Sequence, residues 1–158
     1  MEKIKIRKAT LKDLKIIQEL NHKLCKEENK QFDITVNPDF PVTKEGEEYF
    51  KIRIEKDDGC ALIASDGEKI IGYLVGGILK PESYRILSEI AELGDMFVLE
   101  EYRNKSVGTK LHSSFIDWCG KKGIKRIRVV ASAKNLKAIN FYKKNKFKEY
   151  DLVLERDL

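Results

Sequence analysis

The chain has 158 residues, of which 42% are apolar and 36% charged, and it carries a net charge of +5. That length suits one domain with its own core, so residues 1–158 are expected to form a single unit. The longest apolar run, Ile70 to Leu79, is too short to cross a bilayer, and the charged opening residues are no export signal, so no membrane partner is expected.

Ile4 and Ile6 alternate with charges, which predicts a half-buried strand over residues 3–8. Thr10 then caps a helix, with Asp13 as its capping-box partner. Leu14, Ile17, Leu20 and Leu24 recur at helical spacing, and the helix fades near Glu28. The two prolines of Asn37-Pro38-Asp39-Phe40-Pro41 mark a loop. Thr43 caps a second helix over about 44–56. Cys60 to Ser65 reads as a strand, Asp66-Gly67 as a hairpin turn and Lys69 to Leu79 as the returning strand, with a bulge expected at Gly76-Gly77. Residues 88–99 form the next strand.

A helix follows from Val107 to Trp118 or Cys119, stopped by Gly120 and Gly123. Phe115 and Trp118 are expected to pack it on the sheet. Ile124 to Ala131 is β-branched and reads as a strand. Asn135 opens a helix that ends near Asn145. Phe147 to Arg156 alternates through Tyr150, Leu152 and Leu154, as a final strand would. The order predicts a mixed α/β sheet flanked by helices. Cys25, Cys60 and Cys119 are odd in number and lack metal-ligand spacing. Neither a disulfide framework nor a metal site is expected, and a reducing cytoplasm is the natural compartment.

The most informative stretch joins the fourth strand to the helix behind it: Val98-Leu99-Glu100-Glu101-Tyr102-Arg103-Asn104-Lys105-Ser106-Val107-Gly108-Thr109. A small-residue loop opening a helix aims backbone N–H groups at one point, and the helix adds its positive dipole end. The expected guest is a pyrophosphate or a similar anion.

Arg103-Asn104-Lys105-Ser106-Val107-Gly108 resembles motif A of the GNAT superfamily, the acyl-CoA-dependent N-acyltransferases, whose pattern is Arg/Gln-x-x-Gly-x-Gly/Ala. Ser106 stands where the first glycine usually lies. The opening Ile4-Lys5-Ile6-Arg7-Lys8-Ala9-Thr10-Leu11-Lys12-Asp13-Leu14 is similar to the family's first strand and helix. Asn135-x-x-Ala138-x-x-Phe141-Tyr142 followed by Phe147 resembles motif B, with Lys146 where glycine is usual. The resemblance spans nearly the whole chain. It implies a mostly antiparallel sheet with one parallel, splayed strand pair and helices on both faces.

It also implies acetyl-CoA as co-substrate, with no metal. Backbone N–H groups of Asn104, Lys105, Ser106, Val107, Gly108 and Thr109 would hold the pyrophosphate, with charge added by Arg103 and Lys105. The main chain of Met96, Phe97 and Val98 would pair with the pantetheine arm. Asn135 would bond that arm, and Tyr142 would donate its phenolic proton to the leaving sulfur. Lys121, Lys122, Lys125, Arg126 and Arg128 are candidates for the 3′-phosphate.

Acyl transfer to an amine also needs a proton acceptor, because an alkyl ammonium has a pKa of about 10 and no lone pair. Glu92 is the first candidate. On a regular strand Glu92, Gly94, Met96 and Val98 share one face, with Asp95 on the other. Glu89 and Asp95 are the remaining acids.

The charge is uneven along the chain. Residues 101–158 hold 15 Lys+Arg against 6 Asp+Glu, and residues 1–100 hold 16 against 20. A basic half holding an anionic cofactor and an acidic half receiving a cationic amine fits this pattern. Asp33, Asp39, Glu45, Glu47 and Glu48 are expected to shape that acceptor region. The leading expectation is an N-acetyltransferase acting on a primary amine of a small molecule or peptide, with a homodimer expected by analogy. A non-catalytic acyl-CoA sensor is the alternative. Nucleic-acid binding ranks last, since no base-reading motif or dense basic helix is present.

Overall fold

The computed structural model describes residues 3–158. Strand β1 (Lys5–Lys8) leads into the predicted capping box. The Thr10 N–H donates to Asp13 Oδ2 at 2.8 Å, and Arg7 donates to both Asp13 oxygens at 2.8 Å. This local closure starts a 3-10 turn that continues as α1 (Leu14–Gln31). The helix outruns its predicted end near Glu28 because Glu28 to Gln31 contains no breaker.

Thr43 caps α2 (Lys44–Glu55), its hydroxyl accepting from the Gly46 N–H at 3.1 Å. β2 (Gly59–Asp66) turns through Gly67, at φ 59°, into β3 (Lys69–Leu79). Next come β4 (Ile90–Val98), α3 (Val107–Lys121), β5 (Ile127–Val129) and α4 (Leu136–Lys144). Helix α3 runs through Gly120 and gives way only before Gly123, at φ 73°. One glycine inside a helix costs about 1 kcal/mol, too little to end it against a buried face.

The sheet order is β1-β2-β3-β4-β5; successive pairs are antiparallel except β4 and β5, which run parallel. This is the expected mixed sheet with helices on both faces. On one face, Ile17 and Leu20 of α1 and Phe50 and Ile54 of α2 pack on Ile63, Tyr73, Val75 and Phe97. On the other, Val107, Leu111 and Phe115 of α3 pack on Leu62, Leu74, Ala91 and Leu93. Phe115 is buried in the core, as expected, and Trp118, partly buried, stacks on it with centroids 5.7 Å apart. Each fully buried side chain of this size contributes roughly 1.5–3 kcal/mol.

Two parts of the sheet differ from the sequence expectation. β5 is three residues long rather than eight, and Phe147 to Arg156 forms no strand. The Phe147 N–H donates to the Tyr142 carbonyl, Glu149 pairs with Lys143 and Tyr150 lies over Arg85. These contacts tie the start of the segment to α4 and to the loop before β4. Beyond them its alternating apolar residues pair with no strand among the described residues, although β5 ends the sheet. Alternation encodes a strand, but a strand forms only where a partner edge is offered.

Candidate active site

β4 divides into two halves. Ala91, Glu92 and Leu93 pair with Ile127, Arg128 and Val129 of β5. From Gly94 onward, β4 has no partner on that side among the described residues, so the strands part. On its other side, Leu93 faces Gly76 while Asp95 faces Val75, which leaves Gly94 as an extra residue in β4. The glycine pair of β3 thus marks the bulge, and its extra residue lies on the neighbouring strand. A Cβ at position 94 would collide with the Tyr49 hydroxyl, so the bulge needs glycine there.

The bulge reverses which side chains share a face. Leu93, Met96 and Val98 lie with the α3 cluster, while Phe97 lies with the α1–α2 cluster. Asp95 turns toward α2 and α1, where its carboxylate accepts from the Tyr49 hydroxyl at 3.2 Å. The expected grouping of Glu92 with Met96 and Val98, opposite Asp95, is therefore corrected. Regular alternation fails wherever one residue is inserted. The structure also gives Glu92 a partner: Arg128 Nε donates to its carboxylate at 2.6 Å, and Arg128 Nη1 donates to Glu82 at 2.9 Å.

The loop between β4 and α3 turns tightly. Asn104 and Ser106 both adopt left-handed backbone, at φ 60° and 62°, so the turn expected of glycine persists with serine. The Arg103 N–H donates to Glu100 and the Lys110 N–H to Ser106. Among the described residues, the six amides from Asn104 to Thr109 have no hydrogen-bond partner. They are exposed or at the helix entrance, and the α3 dipole adds its positive end there. Lys105 Nζ lies 5.5 Å from the Tyr102 ring.

Arg103 departs from expectation. Its Nε donates to the Val98 carbonyl at 2.9 Å, and its Nη2 holds both oxygens of Glu27 at 2.9 and 3.0 Å. It fastens the loop to β4 and α1 instead of presenting its charge freely. Asn135 is likewise engaged: its side-chain oxygen caps α4 by accepting from the Ala138 N–H at 3.1 Å. Of the basic residues assigned to a 3′-phosphate, Arg128 and Lys122 are paired, the latter with Asp57 at 2.8 Å.

Tyr142 is half-buried on α4, packed on the same cluster as Met96 and Val98. A Cβ on Gly108 would lie 3.9 Å from both Met96 Cε and the Phe141 ring. The loop helix, the open half of β4 and the helix bearing Tyr142 therefore meet on one side of the sheet. The Tyr142 phenol is pushed up to about 12, first by burial and then by the charges of Asp95 and Glu28. Carboxylates anchored on the opposite face are thus felt at the phenol, across the place where β4 and β5 separate. Burial also raises the Asp95 and Glu28 carboxyls, and the Asp95 charge raises Glu28 further.

Sequence reading missed the polar residues of α1 and α2 that surround Asp95. Asn21 of α1 donates to the Tyr73 hydroxyl at 2.7 Å and accepts from Cys25 at 3.4 Å. Arg53 lies over the Tyr49 ring at 5.2 Å. One signal was available: Asn21 sits four residues after Ile17, on the apolar stripe, where a polar residue needs a buried partner. The acids first assigned to the acceptor region are engaged locally. Asp33 accepts from Thr35, Asp39 lies 3.5 Å from His22, Glu47 pairs with Lys51, and Glu45 and Glu48 are exposed on α2.

The fold agrees with the comparisons. The sequence matches the Acetyltransferase (GNAT) family over residues 22–147, and the chain belongs to that family. It is 30% identical to the uncharacterised N-acetyltransferase YhfO of Bacillus subtilis over 104 residues, 65% of this chain and 68% of the relative. An uncharacterised N-acetyltransferase of Methanocaldococcus jannaschii is 26% identical over 66% of this chain, which spans 46% of that longer relative. Among solved structures, a tetramutant of the BH1408 protein of Bacillus halodurans superposes with a TM-score of 0.84 at 18% identity, covering 98% of this chain and 99% of that one. The aminoglycoside N-acetyltransferase AAC(6')-Iy in complex with CoA gives 0.76 at 18% identity, covering 100% and 96%. At these identities the likeness is one of fold. No described helix is long and apolar enough to cross a membrane.

Proposed function

We propose that this protein is an N-acetyltransferase that moves the acetyl group of acetyl-CoA to a primary amine of a cationic small molecule or peptide by direct attack. The observation that carries this reading is the meeting of the unpartnered amides of Asn104 to Thr109, the open edge of β4 and the Tyr142 phenol on one side of the sheet. When bound, acetyl-CoA supplies the activated acyl group as a thioester.

The residues of this chain do the rest. The loop amides and the α3 dipole receive the diphosphate. The exposed main chain of Met96 to Val98 offers an edge for an extended amide arm, although Arg103 already occupies the Val98 carbonyl. Tyr142 carries its proton at neutral pH, as any tyrosine with a pKa near 10 would, and burial, which pushes it up to about 12, keeps it so. It can place that proton by hydrogen bond on the departing thiolate sulfur, whose ordinary pKa is about 8.5, stabilising the charge as it leaves even though full transfer is uphill. Asp95, with Glu28 beside it, supplies the negative field that draws a cationic amine and the base that takes its proton. Raised carboxyl pKa values favour that second task. Glu92, held by Arg128, fits the role less well than Asp95.

The test is acetyl-CoA-dependent thiol release, screened across polyamines, aminoglycosides, amino acids and neutral amines. Turnover with preference for polycationic acceptors is expected. CoA binding without turnover for any acceptor would leave the acyl-CoA sensor in its place.

A further inference from the structure

Asp95 stands in surroundings that work against its charge. Burial raises its carboxyl first, and the Glu92 charge on its own strand adds to that. Glu28 of α1, which the Asp95 charge raises, repels it in return. The neighbouring Cys25 on α1, Tyr73 on β3 and Tyr142 on α4 are all raised as well, so they stay neutral near pH 7 and offer no compensating charge. The opposing groups come from α1 and α2. The Tyr49 hydroxyl donates to Asp95 Oδ2 at 3.2 Å, and the Asn21 side chain and the Arg53 charge act on the carboxyl in the same sense. A donor to a carboxylate favours its charged form.

The sheet gives way for two side chains of α2. A Cβ at position 94 would collide with the Tyr49 hydroxyl, and one at position 77 would collide with Arg53 Nη1. Gly77 belongs to the glycine pair of β3 and is the register partner of Glu92. Tyr49 and Arg53 are four residues apart, so they neighbour each other on one face of α2. The Arg53 guanidinium lies 5.2 Å from the Tyr49 ring, Phe50 meets that ring edge-on at 5.1 Å and Phe40 lies 6.4 Å away. A rigid ring held on several sides delivers its hydroxyl to one place. We infer that Tyr49 is a positioning residue for acyl transfer: its hydroxyl, seated in the space that Gly94 leaves, holds the Asp95 carboxylate in place in its proton-accepting form, with Arg53 steadying the ring. This role rests on the reading of Asp95 as the base.

Tyr49→Phe removes the hydroxyl and keeps the ring packing. The variant is expected to retain CoA affinity in a calorimetric titration and a wild-type far-ultraviolet spectrum. Two readings should then move together. The Asp95 carboxyl, followed by carbon NMR without turnover and assigned with Asp95→Asn, should titrate at higher pH than in the wild type. The acid limb of kcat/KM for a cationic amine should move the same way, and kcat/KM at neutral pH should fall about 3- to 10-fold, the equivalent of one hydrogen bond. Gly94→Ala, which displaces the same hydroxyl, should reproduce both shifts. A carboxyl titration unmoved in Tyr49→Phe would overturn the role of Tyr49 and leave Asp95 standing as the base. A carboxyl that moves while the kinetic limb stays would overturn Asp95 as the base, and this role with it. An equal loss of rate at every pH would make Tyr49 a packing residue and overturn the proposal.

Discussion

The two halves of β4 carry the same kind of residue to opposite ends. Glu92 lies in the half that pairs with β5, and Arg128, its register partner on that strand, neutralises it at 2.6 Å. Asp95 lies three residues on, past the bulge, in the half that has parted from β5. It accepts from the uncharged Tyr49 hydroxyl, and burial raises its carboxyl despite the Asn21 side chain and the more distant Arg53 charge. Sheet pairing therefore does more than hold the strand. Where the ladder is closed, a carboxylate finds a cross-strand cation and becomes structural. Where it opens, a carboxylate turns under α1 and α2, and burial raises it. One inserted glycine separates the two outcomes.

The sharpest way to break this comparison is to neutralise each acid in turn. Tyr142→Phe sets the scale, with kcat expected to fall about 100-fold and CoA affinity retained, as for loss of a general acid. Asp95→Asn is expected to lower kcat/KM by about 30- to 100-fold for a cationic amine. The wild-type pH profile should share the same origin. Because Asp95 must be ionised to act and its pKa is raised, kcat/KM is expected to climb with pH through a limb above the ordinary aspartate range. Tyr142 must keep its proton, and with its pKa raised to about 12 it imposes no alkaline loss near neutrality. Asp95→Asn should remove or displace the acid limb. An unaltered profile would exclude Asp95 as the base.

Glu92→Gln sharpens the contrast from the other side. It removes one partner from a half-exposed ion pair and leaves Arg128 its bond to Glu82. The expected cost is about 0.5–1 kcal/mol of stability, or about 2–4 °C in Tm, with kcat/KM changed less than about threefold. If this variant lost more activity than Asp95→Asn, the division of β4 into a structural and a chemical half would fail.

Most of the fold was legible because its signals are local. The Thr10–Asp13 box, the Thr43 cap, the Asp66-Gly67 turn and the Asn135 cap each depend on residues within four positions of one another. The site was only partly legible. The loop and Tyr142 stand in recognisable spacing, but the faces of β4 depend on the register against β3, which no single strand contains. Arg103 with Glu27, and Arg128 with Glu92, join residues 76 and 36 positions apart. An arginine's charge is readable from sequence, whereas its partner is decided by the packing of whole elements. The segment after α4 failed for the same reason in stronger form, since its alternation is local and no strand of the sheet pairs with it among the described residues.

The smallest expected effects lie where left-handed backbone replaces glycine. Ser106, at φ 62°, and Lys146, at φ 70°, stand where the family resemblance expects glycine. Left-handed backbone costs a residue with a side chain roughly 1–2 kcal/mol, and glycine returns about 0.4–1 kcal/mol of that through a freer unfolded chain. Lys146→Gly should therefore raise Tm by about 1–3 °C without touching kinetics. Ser106→Gly should change CoA affinity less than about threefold, because the amides keep their directions. Ser106→Val should weaken it more than about tenfold, since a β-branched residue resists that conformation and would turn the amides away. Calorimetric CoA titration of the two Ser106 variants separates backbone direction from hydroxyl contact. If Gly and Val weakened binding equally, the serine oxygen rather than the turn would be what the phosphate meets.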